Sequence, residues 1–172
     1  MTTTTQTVEI PVRLDFDAHA PGFAKAMSHL DHAATKELDR VNFDPRLREL
    51  VRLRASQING CAYCIDMHWK DLRAAGESEQ RLYGLDAWEE SPYYSGRERA
   101  ALAWTEAVTK IRDGHVPEEA HEMAQEFFSE KELADLTLAV AAINAWNRLN
   151  IAARTVPGTY RPARARELKR GA

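Results

Sequence analysis

Cysteine is scarce in this sequence, because only Cys61 and Cys64 occur among its 172 residues. A framework of structural disulfides, as found in small secreted domains, needs several cysteines at wider spacing, so that class of protein is excluded. In an intracellular protein, two cysteines three positions apart are more often catalytic or metal-binding than structural. This pair is therefore the main candidate for chemistry.

Long apolar runs are also missing. No stretch approaches the roughly 20 apolar residues that a membrane-spanning helix needs, so we expect no membrane partner. Residues 1–6 are rich in threonine and have neither the basic head nor the apolar centre of a secretory signal. We therefore expect a cytoplasmic location.

The chain has little net charge, −3 in total, with 44% hydrophobic and 28% charged residues. This composition is typical of a globular protein and gives no general attraction to the phosphates of nucleic acid, so we expect no nucleic-acid partner. The exception is residues 161–172, which we interpret as a solvated basic tail. Its basic residues are Arg161, Arg164, Arg166, Lys169 and Arg170.

Apolar residues recur with helical spacing along nearly the whole chain, and clean strand-like alternation is confined to Val8–Phe16. We therefore predict an all-α fold, a single-domain bundle of about six to seven helices that oligomerises through its helices. The length fits one domain better than two. The expected divisions are an N-terminal arm over 1–18, the helical domain over 19–156 and the basic C-terminal tail over 157–172.

Turn and capping residues predict where the helices begin and end. The first helix should bury one face that carries Phe23, Met27, Leu30, Ala34 and Leu38, and the fifth should bury Ala101, Trp104, Val108 and Ile111. Seven helices are predicted. The first follows Pro21-Gly22, and the other six run from Pro45 towards Ser56, from about Cys61 to Ala75, from Ser78 to Leu85, from about Gly96 to Arg112, from Pro117 to near Phe128, and from Ser129 to about Arg154.

The last predicted helix is apolar on nearly every face between Leu133 and Ala153. Such a helix must be covered on all sides, so it lies either at the centre of the bundle or in a subunit interface, and we expect a homo-oligomer. A line of polar residues runs along it, which should form hydrogen bonds that fix helix packing. These residues are Asn144, Asn147 and Asn150.

The two cysteines are expected at the start of the third helix. Gly60 frees the backbone there, so Cys61 should cap the helix and Cys64 should lie in its first turn. The free N–H groups and the positive end of the helix favour a thiolate, which makes Cys64 the better nucleophile. At a helix cap, Cys61 can also approach Cys64 closely enough for a disulfide.

His68 lies four residues after Cys64 and hence on the same helical face, where it can accept a proton from a thiol. Glu49, on the preceding helix, is the candidate carboxylate that would orient this histidine. A surface salt bridge between Glu49 and a neighbouring arginine fits the spacing equally well. The arginines are Arg48, Arg52 and Arg54.

The segment Ala55–His68, together with Glu49 twelve positions before Cys61, resembles the alkyl hydroperoxidase D branch of the carboxymuconolactone decarboxylase-like family. In that branch a glutamate, two cysteines and a histidine occur at this spacing. The segment Asn144–Arg148 also resembles the last core helix of the family. The resemblance covers about residues 20–155.

This resemblance implies an all-helical oligomer, a trimer or hexamer, that reduces a hydroperoxide at the expense of an unidentified thiol reductant and without a cofactor. Cys64 would attack the peroxide and become a sulfenic acid, and Cys61 would supply a proton and then condense with it to a disulfide. Glu49 and His68 would relay protons. Tyr63 is a departure, because the best-known member has a histidine between its cysteines, and this implies a shorter relay and weaker activity.

Three other interpretations compete with the peroxidase. A zinc site would use Cys61, Cys64, His68 and Glu49, but structural zinc generally takes a second pair of cysteines or histidines, which the chain lacks, so we expect no metal. A carboxymuconolactone decarboxylase-like enzyme with another substrate would not depend on the cysteine pair. Finally, the cysteines could be inert core thiols of a structural or binding module.

Overall fold

A computed structural model of the protein describes residues 8–162, and this part of the chain is all-helical, without strands. The predicted all-α class is thus confirmed. The helices are α1 (Phe16–His19), α2 (Pro21–Arg40), α3 (Pro45–Asn59), α4 (Ala62–Ala74), α5 (Glu79–Gly84), α6 (Gly96–Thr109), α7 (Glu118–Gln125) and α8 (Glu130–Ala153), with a short 3-10 helix at Leu85–Ala87.

The structure contains each of the seven helices expected from the sequence and one more, so the described part of the chain has eight α-helices rather than six to seven. The additional helix is α1, a single turn in the arm. Its N-cap is Asp15, whose side chain accepts a hydrogen bond from the N–H of Ala18 at 3.0 Å. Asp15 is a common type of helix cap, but one turn is too short to show helical periodicity in the sequence.

Local capping signals account for the helix beginnings. Asp44 caps α3 by accepting from the N–H of Arg46 at 2.8 Å, and Pro45 occupies the first helical position. Ser129 and Glu132 form the expected capping box at the start of α8. Each cap satisfies N–H groups that have no partner inside the helix, so the sequence defines these boundaries well.

The end of α6 was predicted wrongly. The helix stops at Thr109 instead of Arg112, and Ile111, which was expected in the core, is 56% exposed. The N–H of Asp113 donates to the carbonyl of Lys110, and Gly114 adopts a φ of +97°. This glycine-containing turn ends the helix and directs Ile111 outwards.

The apolar face predicted for α2 is only partly correct. Met27, Ala34 and Leu38 are buried as expected. Phe23 and Leu30, however, are 52% and 48% exposed, and Phe23 lines a cavity. The near-helical spacing of these residues is real, but within one chain the bundle does not cover the whole face.

Helix α8 lies at the centre of the bundle, in contact with α2, α3, α4, α6 and α7. This confirms the first of the two places expected for an apolar helix. The main core is built from residues of α2, α3, α6, α7 and α8, among them Leu38, Val51, Ala101, Ala124 and Val140. Two large side chains of α8, Leu138 and Ile151, remain exposed in the single chain.

Asparagine side chains join α3 to α8. The amide nitrogen of Asn59 donates to the side-chain oxygens of Asn144 and Asn147, at 2.9 Å each, and Asn147 donates to Ser56 Oγ at 3.0 Å. The packing role predicted for Asn144 and Asn147 is therefore confirmed. Because Asn59 is the last residue of α3, this network also fixes the turn that leads to Cys61.

The N-terminal arm lies along its own chain. Its residues 8–15 form no regular element, but the N–H groups of Arg13 and Leu14 donate to the carbonyl of Ala153, at 2.7 and 3.4 Å. The threonine-rich residues 1–6 and the basic residues Arg164, Arg166, Lys169 and Arg170 lie outside the described residues. Between residues 8 and 162, none of the helices has the length and apolar character needed to cross a bilayer.

Candidate active site

The turn between α3 and α4 places the two cysteines as the sequence predicts. Gly60 has a φ of +70°, which favours glycine, and it ends α3. Cys61 is the N-cap of α4, and its sulfur accepts a hydrogen bond from the N–H of Cys64 at 3.4 Å. The two cysteines are joined as a disulfide, with their Cα atoms 5.4 Å apart, and both are buried.

A cavity of about 650 Å³ opens beside Cys64. It lies between α2, α3, α4, α8, the arm and the segment after α8. Cys64 is among the lining residues whereas Cys61 is not, so a molecule in the cavity meets Cys64 first. Much of the lining is apolar, including Leu14, Phe16, Phe23, Met67, Ile143 and Trp146; Tyr63 also lines it.

Glu49 and His68 meet beside this cavity. His68 Nδ1 lies 2.8 Å from Glu49 Oε2. Both residues are buried, since only 3% of the surface of His68 and 6% of that of Glu49 is exposed. Helices α3 and α4 pack together after the Gly60 turn, and this brings the two residues into contact. Glu49 is therefore not the surface charge that the alternative interpretation assumed.

Arginines surround Glu49 as well, so the carboxylate has both of its expected kinds of neighbour. Arg52 Nη1 donates to Glu49 Oε1 at 3.1 Å, and Arg48 lies 3.8 Å from the same oxygen. Arg52 also contacts Asp31 and Thr35 of α2, at 3.2 and 2.8 Å. Arg54 takes no part, since it pairs with Glu106 and Asp86.

These contacts determine the charge of Glu49. Burial opposes ionisation, but the hydrogen bond from His68 and the charges of Arg52 and Arg48 outweigh it and lower the pKa of Glu49 to about 2. An ionised carboxylate can only accept, so His68 Nδ1 carries the hydrogen of their contact. Nε2 is then the free acceptor nitrogen, and it is buried without a hydrogen-bond partner in the described part of the chain.

Asn150 is a polar neighbour of Cys64 Sγ that sequence reasoning missed. Its amide nitrogen lies 3.6 Å from Cys64 Sγ and also donates to the carbonyl of Trp146. The sequence showed Asn150 only as the third member of a polar line, and a packing role explained that line. Nothing in the spacing signals that Asn150 turns towards α4 whereas the other two face α3.

Asp71 and Tyr160 are the other site residues that the sequence did not reveal. Both line the cavity, and the Tyr160 hydroxyl donates to Asp71 Oδ1 at 2.8 Å. Asp71 lies one helical turn after His68, which is a usable signal in retrospect. Tyr160 follows α8, and no local pattern connects it to residues 89 positions earlier.

The structure brings together a different set of metal-capable groups from the one weighed for zinc. In the region 8–162, one ligand-capable atom each of Glu49, His68 and Asp71 lies within 4.8 Å of the other two. The cysteines are not part of this group, because their sulfurs are paired with each other. Glu49 already accepts a hydrogen bond from Arg52, and Asp71 already accepts one from Tyr160. Both carboxylates that could bind a cation therefore have protein partners.

Known proteins resemble this chain in sequence and in fold. The uncharacterised protein YdfG of Bacillus subtilis is 41% identical over 140 residues, which cover 81% of this chain and 92% of YdfG. A solved structure from Agrobacterium tumefaciens, of unknown function and suggested to be the antioxidant defence protein AhpD, is 37% identical with a TM-score of 0.82. The match covers 87% of this chain and all of that one.

A second solved structure shows how widely the fold recurs. It is an uncharacterised peroxidase-related protein from Ralstonia eutropha with an alkylhydroperoxidase AhpD core, 21% identical, with a TM-score of 0.65. The match covers 83% of this chain and 74% of the Ralstonia chain. At this identity it shows a shared fold alone.

The family model that matches is that of the carboxymuconolactone decarboxylase family, over residues 21–107. This range contains Glu49, Cys61, Cys64 and His68. With about half of the chain matched by the model and a 41% identical relative, the resemblance noted in the sequence is confirmed. The chain belongs to the carboxymuconolactone decarboxylase family.

Proposed function

We propose that this protein is a thiol-dependent peroxidase in which Cys64 reacts with a hydroperoxide and Cys61 resolves the product. The observation that carries this proposal is the position of Cys64, at the wall of a cavity that also contains the buried Glu49–His68 pair. A nucleophile, a base and a group that orients the base are the three parts that activation of a thiol requires.

The proposed cycle has three steps. The Cys64 thiolate attacks one peroxide oxygen, the O–O bond breaks, and the leaving alkoxide takes a proton and departs as an alcohol, while Cys64 becomes a sulfenic acid. Cys61 then attacks this sulfur, water leaves, and the disulfide forms. A thiol reductant finally reduces the disulfide by exchange and is itself oxidised.

Two features support Cys64 as the attacking residue. It lines the cavity, and it lies in the first turn of α4, where free N–H groups and the Asn150 amide stabilise a thiolate. Cys61 lies outside the lining but directly against Cys64, which suits a resolving thiol. The apolar wall favours an organic hydroperoxide over hydrogen peroxide.

The relatives support the same chemistry. The Agrobacterium structure is described with antioxidant defence, and the Ralstonia structure is called peroxidase-related. We extend the proposal to a cytoplasmic location and to a homo-oligomer, a trimer or hexamer. A carboxymuconolactone decarboxylase-like enzyme of another substrate is the second candidate, because the family model that matches residues 21–107 carries that name.

A count of free thiols tests the proposal. The reduced protein should show two free thiols, and one equivalent of an organic hydroperoxide should remove both in a single turnover. The mass of the protein should fall by about 2 Da, because two hydrogens leave when the disulfide forms. The variant with Cys61→Ser and Cys64→Ser should consume no hydroperoxide. Retention of both thiols in the wild type would refute the peroxidase, and stoichiometric zinc in the reduced protein would favour a metal site.

A further inference from the structure

The active-site cavity contains a second carboxylate, Asp71, that the proposed relay does not use. Asp71 follows His68 by three residues on α4, so the two side chains project from adjacent turns. One atom each of Asp71, His68 and Glu49 lies within 4.8 Å of the other two. Asp71 is thus close enough to act on the charge of His68.

The segment after α8 carries Tyr160 to this carboxylate. The Tyr160 hydroxyl lies 2.8 and 3.1 Å from the two oxygens of Asp71. Two further contacts hold the segment on α4: the N–H of Gly158 donates to Asp66 at 2.9 Å, and Lys70 donates to the carbonyl of Tyr160 at 3.3 Å. Three residues of one helix therefore fix the tyrosine at the cavity.

The two carboxylates of the cavity have opposite surroundings. Arg52 and Arg48 neutralise Glu49, whereas no cation of the described residues 8–162 forms a salt bridge with Asp71. Burial raises the pKa of Asp71, and the nearby charge of Glu49 adds to this, against the opposing effect of the Tyr160 hydrogen bond. Burial and the same contact raise the pKa of the Tyr160 hydroxyl, so it stays a donor.

We propose that Asp71 and Tyr160 are positioning residues for His68: the Asp71 carboxylate stabilises the imidazolium that forms when His68 accepts a thiol proton, and the Tyr160 hydroxyl holds Asp71 in place. The inference rests on the proposed role of His68 in activating Cys64. The proton leaves the thiol sulfur and is taken up at Nε2, the nitrogen that has no hydrogen-bond partner among residues 8–162. The resulting thiolate and imidazolium then form a pair beside two carboxylates.

Other charged and titratable groups face the same point and must be kept constant in any test. The arm contributes Asp15, α1 contributes Asp17, α2 contributes Asp31, α3 contributes Glu49, Arg48 and Arg52, and α4 contributes Tyr63 and Cys64 beside His68 and Asp71. The changes that test the proposal are therefore confined to Asp71 and Tyr160, with isosteric replacements.

The direction in which Asp71→Asn shifts the pH midpoint of thiol alkylation distinguishes a positioning role from a simple charge effect. The rate of alkylation of the reduced protein by iodoacetamide, measured against pH, gives the midpoint at which the reactive thiol ionises. If Asp71 acts only as a nearby negative charge, Asp71→Asn makes the thiolate easier to form and the midpoint falls. If Asp71 acts through His68, the thiolate loses its imidazolium partner and the midpoint rises.

We expect the midpoint to rise by about half a unit or more in Asp71→Asn, and by less in Tyr160→Phe, because the latter keeps the carboxylate but removes its hydrogen bond. Tyr83→Phe, at an exposed tyrosine of α5, is the matched control and should leave the midpoint unchanged. In a His68→Gln background, Asp71→Asn should no longer raise it.

An unchanged or lowered midpoint in Asp71→Asn, or a rise that persists in the His68→Gln background, would overturn the proposal. The alkylation assay needs no peroxide. If the midpoints move as expected while the wild type turns over no hydroperoxide, the positioning role stands and the peroxidase function fails. If turnover is normal and the midpoints do not move, the peroxidase function stands and the positioning role fails.

Discussion

His68 Nδ1 and Glu49 Oε2 are in hydrogen-bond contact at 2.8 Å, although the two residues lie 19 positions apart and on different helices. The contact is buried, and Glu49 is ionised within it because the hydrogen bond from His68 and the charges of Arg52 and Arg48 outweigh the effect of burial. It therefore fixes the tautomer of His68 and leaves Nε2 as the nitrogen that can accept a proton.

The two cysteines should react unequally. After one equivalent of hydroperoxide, Cys61→Ser should accumulate a sulfenic acid on Cys64 that a trapping reagent captures, since no resolving thiol remains. Cys64→Ser should react slowly and trap little, and the wild type should show only the internal disulfide by mass. Rapid trapping on Cys61 in the Cys64→Ser protein would show that Cys61 is the nucleophile.

Replacement of either relay residue should slow turnover. Glu49→Gln and His68→Gln should each lower kcat/KM for hydroperoxide by roughly 10²-fold or more, because general acid–base catalysis contributes about that much. Glu126→Gln, at an exposed glutamate beyond the end of α7, is the control and should retain wild-type turnover. Full activity of Glu49→Gln across neutral pH would confine the relay to His68.

The stability of the protein should depend on Glu49 in acid. Its pKa is about 2 in the folded protein and near 4.5 when unfolded, so its ionised form stabilises the fold above about pH 4.5, and this contribution is lost as pH falls towards 2. The difference in free energy of unfolding between wild type and Glu49→Gln should shrink by about 3 kcal/mol between pH 5 and pH 2. Urea unfolding at each pH measures this, and a constant difference would contradict it.

Asn150 should stabilise the Cys64 thiolate through its amide nitrogen, which lies 3.6 Å from the sulfur. Asn150→Leu removes the donor, so the pH midpoint of iodoacetamide alkylation should rise by about half a unit. Gln80→Leu removes an exposed amide of α5 that does not line the cavity, and it should leave the midpoint in place. Equal midpoints in all three proteins would reduce Asn150 to a packing residue.

The chain should associate in solution, because α2 and α8 pack together and leave Leu30 and Leu138 about half exposed. Light scattering should give three or six times the mass of the chain. Leu30→Lys combined with Leu138→Lys should weaken association, whereas Tyr83→Lys on α5 should not. A wild-type protein that stays monomeric at micromolar concentration would contradict this expectation.

Local signals made most of the fold predictable. The caps at Asp44 and Ser129 and the left-handed Gly60 satisfy backbone groups within a few residues of their position, so the sequence alone defines them. The same holds for Cys61 as the cap of α4. The early end of α6 was missed because helical spacing continues to Ile111 after the backbone has already turned.

The candidate site was predictable only where spacing along one helix defines it. Cys64 and His68 share a face, and Glu49 could be named through the turn at Gly60 and the family motif. Asn150 lies 86 positions after its partner Cys64, and Tyr160 lies 89 positions after its partner Asp71. Both contacts depend on how α8 and the segment after it pack against α4. Such contacts leave no periodic trace in the sequence.

The disulfide between Cys61 and Cys64 closes a ring only four residues long. Cross-links restrict the unfolded chain more as the loop they close becomes longer, so a ring this short removes little conformational entropy from it. The bundle is held instead by its apolar core and by the asparagine contacts between α3 and α8. Opening or closing of this disulfide should therefore leave the free energy of unfolding of the surrounding bundle nearly unchanged.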